Sequence, residues 1–221
     1  MIIAGYLKTS LIEWPGKIAS VIFTRGCNFR CSYCHNRDLV DEWMSGGVDK
    51  WIKQSDVLAD LEKRKKWVDA VVVTGGEPTL QDDLAGFLGS LGNLGFLRMV
   101  ETNGSRPEVV KRLIGNRLVD YWTMDIKSNF ENYFLVQSEK FPPKRRVGAV
   151  QGLVEKVKVS MGLIANSGVE YEFRTTVVPG IHDLENLRKM AEEIREICEK
   201  VPQVSQVSHA KNTKHQTTNY K

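Results

Sequence analysis

IASVIFTRGCNFRCSYCHN, residues 18–36, runs a β-branched apolar stretch directly into three closely spaced cysteines. Residues 18–24 are almost all apolar or β-branched, which fits a strand buried on both faces, as in a parallel sheet covered by helices. Four more such runs follow, at 70–74, 97–102, 119–126 and 171–178. Segments of helical spacing alternate with them, at 55–67, 81–91, 107–114, 147–166 and 183–200. Ser55 suits a helix cap, Pro107 suits a first helical turn, and Gly168 suits a helical stop.

Polar or glycine-bearing motifs sit just after each apolar run. In a β/α barrel the active site lies at the C-terminal ends of the strands, so such motifs converge on one rim. They are 26–34, 75–78, 101–104, 125–127 and 178–180. The expected fold is therefore α/β, of the barrel type, with five strands read from the sequence. An open doubly wound sheet is the alternative, since one sequence gives no strand order. The expected organisation is one domain over 1–202 and a polar, disordered tail over 203–221, where no acid occurs. The long connection 128–146, carrying Tyr133, Phe134, Phe141 and Pro142–Pro143, reads as a binding element or lid.

The chain has 221 residues, 42% hydrophobic and 26% charged, ordinary for a globular protein with a sizeable core. Its net charge of +4 is spread out, and the short runs 63–66 and 144–146 read as solvated faces, which argues against nucleic-acid binding. No apolar run reaches the roughly 18 residues of a membrane span, and residues 1–17 lack the pattern of a signal peptide. A cytoplasmic location is expected, and there clustered cysteines point to metal rather than disulfides.

The spacing Cys27-x3-Cys31-x2-Cys34 offers three thiolates on one tight loop. A [4Fe–4S] cube normally takes four, so three leave one iron open to a ligand. A zinc site completed by His35 is the rival reading, although adjacent residues such as Cys34 and His35 rarely ligate one tetrahedral ion. Further along, VVVTGGEPTL (71–80) places Gly75 and Gly76 where a backbone can approach a ligand closely, with Glu77 able to accept from an ammonium group. GGEP alone is also an ordinary turn, as is the Asn-Gly of ETNGS (101–105). MDIK (124–127) sets Asp125 and Lys127 on one side of a strand end, either as a ligand pocket or as an ion pair. Arg174, inside a strand, needs an anionic ligand or a structural acid; His182 reads as a helix-entry surface residue, and Cys198 as a packing or surface residue.

CNFRCSYC resembles the radical S-adenosylmethionine (SAM) signature, in which an aromatic residue, here Tyr33, precedes the last cysteine. That resemblance implies a [4Fe–4S] cluster on Cys27, Cys31 and Cys34 whose free iron is chelated by SAM. It also implies cofactor contacts from Tyr33, Gly75, Gly76, Glu77, Thr102, Asn103, Asp125 and Lys127. The fold it implies is a partial TIM-type (β/α)6 barrel whose last strand, at 201–207, is doubtful because that stretch is only weakly apolar. With YLKTSLIEWPGK (6–17) and FRTTVVPGIH (173–182) added, the chain resembles the anaerobic ribonucleoside-triphosphate reductase activating protein family. The implied activity is reductive cleavage of SAM to a 5′-deoxyadenosyl radical, which then takes a hydrogen from a glycine of the partner reductase. Reduced flavodoxin or ferredoxin would be the electron donor. Two other readings stay open: a radical SAM enzyme acting on a small purine-like molecule, and an iron–sulfur electron carrier.

Overall fold

The computed structural model describes residues 1–40, 51–133 and 146–199. Its centre is a six-stranded sheet with β1 Ile3–Ser10, β2 Ala19–Thr24, β3 Ala70–Gly75, β4 Leu97–Thr102, β5 Tyr121–Asp125 and β6 Glu170–Arg174. The strands lie side by side in chain order, with no reversal. That order excludes the doubly wound alternative, which needs a switch point, and it is the winding of a partial barrel. Pairing is parallel from β2 to β6, and only β1 runs antiparallel to its neighbour β2.

The five expected strands are all present, although β6 ends at Arg174, four residues early. Among the described residues the sixth member of the sheet is β1, at the N-terminus, which was not among the expected strands. Residues 201–207 and the expected tail lie outside the described residues, as does most of the expected lid (134–145). Among the described residues β1 and β6 are the two edges.

The helices are α1 Arg37–Val40, α2 Gln54–Arg64, α3 Leu84–Asn93, α4 Pro107–Gly115, α5 Arg146–Ala165 and α6 Leu184–Glu199. Two starts differ from expectation. Ser55 does not cap α2: its hydroxyl turns to Asp56, and Lys53 holds the cap position with no side-chain bond. The helix expected from residue 81 begins at Leu84, because Pro78–Leu80 first makes a 3-10 turn capped by the Glu77 carboxylate.

Successive strand residues point to opposite faces, so the continuous apolar runs feed two cores. Ile22, Val71, Val73, Val100, Trp122 and Met124 join the larger core, with Leu84, Leu88 and Leu91 of α3 and Val110 and Leu113 of α4. Ala19, Val21, Ala70, Val72 and Met99 face the other way, where Trp14 packs on them. The Trp14 ring lies 5.4 Å from that of Tyr121. Trp14 comes from the β1–β2 connection, which leaves and re-enters at Ser10 and Ala19, the opposite end of the pair from Thr24. It therefore floors the inner face at the end away from the cysteines.

Candidate active site

Every strand-end motif from β2 to β5 opens toward one cavity of about 260 Å³. The loop after β2 supplies Cys27, Cys31, Tyr33, Cys34 and His35; β3 ends at Gly75, with Gly76 and Glu77 next; β4 brings Glu101, Thr102 and Asn103; β5 brings Asp125 and Lys127. All eleven residues expected to bind cluster or SAM line this single space. Cys198 lies on α6 and does not line it.

Close backbone packing seats the cysteine loop. Glu77 donates its backbone N–H to the Gly26 carbonyl at 2.7 Å, and Gly76 donates to Thr24 at 2.9 Å. A Cβ on Gly76 would stand 2.0 Å from the Gly26 oxygen, so only glycine allows this approach. Gly75 has φ +112°, and a Cβ there would meet the Thr24 nitrogen at 2.4 Å. Within the loop, Arg30 folds back and donates to the carbonyls of Cys27 (2.6 Å) and Phe29 (2.9 Å).

Burial pushes the Cys27 thiol up to about 12 and the Cys31 thiol up to about 11. Thiols so placed need bound cations to hold them as thiolates. Iron would supply that charge, and three thiols on one loop facing one cavity are a donor set that fits a cube with one corner open.

The Glu77 carboxylate is fully buried and heavily bonded. Its Oε1 accepts from the Thr79 backbone (3.1 Å), the Thr79 hydroxyl (2.5 Å) and the Thr102 hydroxyl (2.7 Å), while Oε2 accepts from the Asn103 backbone (2.7 Å). Burial raises its pKa and these four bonds oppose the rise; the net direction is upward. Glu77 thus ties the β3 and β4 exits together. Lys127 pairs with Asp125 at 2.7 Å. Burial lowers its ammonium most, but the charge and hydrogen bond of Asp125 together with the nearby Cys31 and Tyr33 outweigh it; the net direction is upward, so Lys127 stays a cation beside the cysteines.

Two residues have roles that the sequence leaves open or points away from. Arg174 takes structural acids, donating to Glu101 at 2.8 Å and pairing with Glu172. His182 is buried rather than on the surface: Nδ1 accepts from the Val178 backbone at 3.0 Å and Nε2 faces the Lys127 carbonyl at 2.8 Å. With Val178 donating to Nδ1, the proton sits on Nε2, which donates to Lys127. The Tyr133 hydroxyl lies 3.2 Å from the Lys127 backbone nitrogen, so that residue is held from both sides.

A family model for the radical SAM superfamily matches residues 21–200. The chain is 33% identical over 196 residues to a provisionally named glycyl-radical enzyme activating enzyme of Methanocaldococcus jannaschii, covering 88% of this chain and 75% of that one. It is 29% identical over 195 residues to a pyruvate formate-lyase-activating enzyme of Clostridium pasteurianum, covering 84% of this chain and 72% of the relative. To a 7-carboxy-7-deazaguanine synthase of Clostridium acetobutylicum it is 28% identical over 177 residues, 74% of this chain and 73% of the other. In fold it is similar to Streptococcus suis SuiB, with a TM-score of 0.58 at 13% identity, over 80% of this chain and 36% of that one.

Proposed function

The chain belongs to the radical SAM superfamily, and from that premise we propose that it activates a glycyl-radical enzyme. The partner that the sequence favours is an anaerobic ribonucleoside-triphosphate reductase, with reduced flavodoxin or ferredoxin as electron donor. The observation that carries this reading is the convergence of Cys27, Cys31 and Cys34 with the ends of three parallel strands on one cavity.

The three thiolates would hold the [4Fe–4S] cluster, and Gly75, Gly76, Thr102, Asp125 and Lys127 would surround SAM. When bound, the cluster supplies the electron that splits the S–C5′ bond of SAM into methionine and a 5′-deoxyadenosyl radical. The chain's own part is placement and charge. The methionyl group would be anchored mainly on the open iron, and the Lys127–Asp125 pair, at 2.7 Å, would form the polar wall beside it. Gly75 and Gly76 let the backbone come close where a side chain would collide. Glu77, bonded on both oxygens, fixes the loop that presents those groups.

A second reading, a radical SAM enzyme for a purine-like molecule, is favoured by the similarity to 7-carboxy-7-deazaguanine synthase. One experiment tests both. The protein is reconstituted anaerobically with iron and sulfide, then given SAM and a reductant. We expect 5′-deoxyadenosine from wild type and none from Cys31→Ala. With the anaerobic reductase added, a persistent doublet in electron paramagnetic resonance is expected on the partner. SAM cleavage without that doublet on any glycyl-radical enzyme would favour the small-molecule reading.

A further inference from the structure

Asn103, expected to touch SAM, has both amide donors and its carbonyl oxygen engaged by the protein. Its Nδ2 stands 3.8 Å from the Cys27 sulfur and 3.0 Å from Asn28 Oδ1, and donates to both. Its Oδ1 accepts the Ser105 backbone N–H at 2.9 Å. Asn28 in turn donates from Nδ2 to the Ser105 hydroxyl at 2.7 Å, closing a ring of bonds between the cysteine loop and the β4 exit. Asn103 and Ser105 are buried, and the Asn103 backbone N–H is held by Glu77. An amide offers two N–H donors and a carbonyl oxygen with two lone pairs; both donors and one lone pair are used here.

We propose that Asn103 is a positioning residue for the cluster ligand Cys27, and not a ligand of the nucleotide. The inference rests on the reading that Cys27 holds the cluster. The Cys27 sulfur receives a second N–H, from the Phe29 backbone at 3.3 Å, so it sits between one local donor and one from a different strand end. The long-range donor does two things. It locks the first cysteine to the β4 exit before iron arrives, and it stabilises negative charge on the sulfur. The reduced cube carries one more electron than the oxidised one, so it gains more from the bond, and the bond raises the reduction potential.

The test compares wild type, Asn103→Leu and Asn103→Asp, each reconstituted as the full chain. Asp matches Asn in size but cannot donate, so it keeps the test decisive if the Leu protein does not fold. Three quantities are read without any turnover: loss of iron to a chelator, the midpoint potential followed by electron paramagnetic resonance, and SAM affinity by equilibrium dialysis. In both variants we expect iron to be lost about 10-fold faster or more, the range typical for lost partners of metal ligands. The midpoint should fall, by about 59 mV for each tenfold preference of the bond for the reduced cube. SAM affinity in the loaded protein should stay within about twofold of wild type, because no base or carboxylate contact is lost. Unchanged iron retention and potential in Asn103→Asp would overturn the proposal, whatever happens to SAM affinity. Wild type that takes up no cube would overturn the underlying ligand assignment as well, so the two failures are distinguishable.

Discussion

At the scale of single residues, the site is a set of buried polar groups that satisfy one another. Glu77 shows the balance. Burial favours its protonated form, four donated hydrogen bonds favour the carboxylate, and the net direction is upward from the ordinary value of 4.5. The consequence for stability has a definite sign. Below pH 4.5 folded and unfolded chains both keep the proton, and Glu77 adds no slope. Above it the unfolded chain ionises first, so folded stability falls with rising pH until the buried carboxyl also ionises. A tenfold difference in acidity between the folded and unfolded chains is worth about 1.4 kcal/mol. Glu77→Gln has no such slope, so its stability deficit relative to wild type should narrow from pH 4 toward neutrality in urea unfolding of the cluster-free protein. A deficit that widens instead means that the hydrogen bonds outweigh burial and that the folded carboxyl is the more acidic one. Residue roles are only half legible in the sequence. The cysteines and the glycines are readable because their chemistry depends on type and spacing. Arg174 and His182 are not, because Glu101 and the Lys127 carbonyl lie 73 and 55 positions away from them and only the sheet brings these partners into reach.

At the scale of elements, two short pieces carry opposite duties. The β1–β2 connection floors the inner face with Trp14, 6% exposed, against Val21, Val72 and Met99. Trp14→Ala removes that floor and should cost about 3–5 kcal/mol, the range for a large buried aromatic. A denaturant midpoint lowered at unchanged slope would show it, whereas a loss below about 1 kcal/mol would mean that the floor is held by other groups. The turn after β3 has the other duty. Gly76→Ala drives a methyl into the Gly26 carbonyl, so the cysteine loop is displaced, and with it Phe29 and Cys31, which pack in the larger core. Its iron content after reconstitution should fall well below wild type, with a stability loss in urea of about 1–3 kcal/mol. β1 itself is hidden in the sequence for a physical reason. An antiparallel edge strand is covered on one side only, so IAGYLKTS shows no continuous apolar run, and Gly5 and Lys8 interrupt what pattern there is. The five parallel strands are plain in the sequence because their apolar runs are nearly unbroken.

At the scale of the whole molecule, the site is a junction of distant segments. Between Cys27 and Lys127 the chain builds β3, β4 and β5, and the proposed ligands come from the exits of these three strands and of β2. A ligand that touches all four exits binds only the folded arrangement, so its binding energy adds to folding stability as RT ln(1 + [L]/Kd), about 2.7 kcal/mol at one hundred times Kd. The cluster should act in the same direction, since three thiols on one loop are fixed by one rigid body. We therefore expect a ladder of thermal midpoints, lowest for protein stripped of iron by a chelator, higher for the reconstituted protein, and highest with SAM at saturation. The order carries the information. SAM bound mainly by the iron should stabilise only the reconstituted protein, because the cube is then the anchor of its amine and carboxylate. SAM bound mainly by Lys127, Asp125 and the glycine turns should stabilise the stripped protein to the same extent. The first outcome is expected here. Lys127 already has Asp125 as a partner at 2.7 Å, and both Glu77 oxygens are bonded within the protein, so the polypeptide alone leaves little unspent charge for a zwitterion. Scanning fluorimetry under nitrogen on the two forms, with and without SAM, decides between them; equal shifts in both would move the anchor from metal to chain.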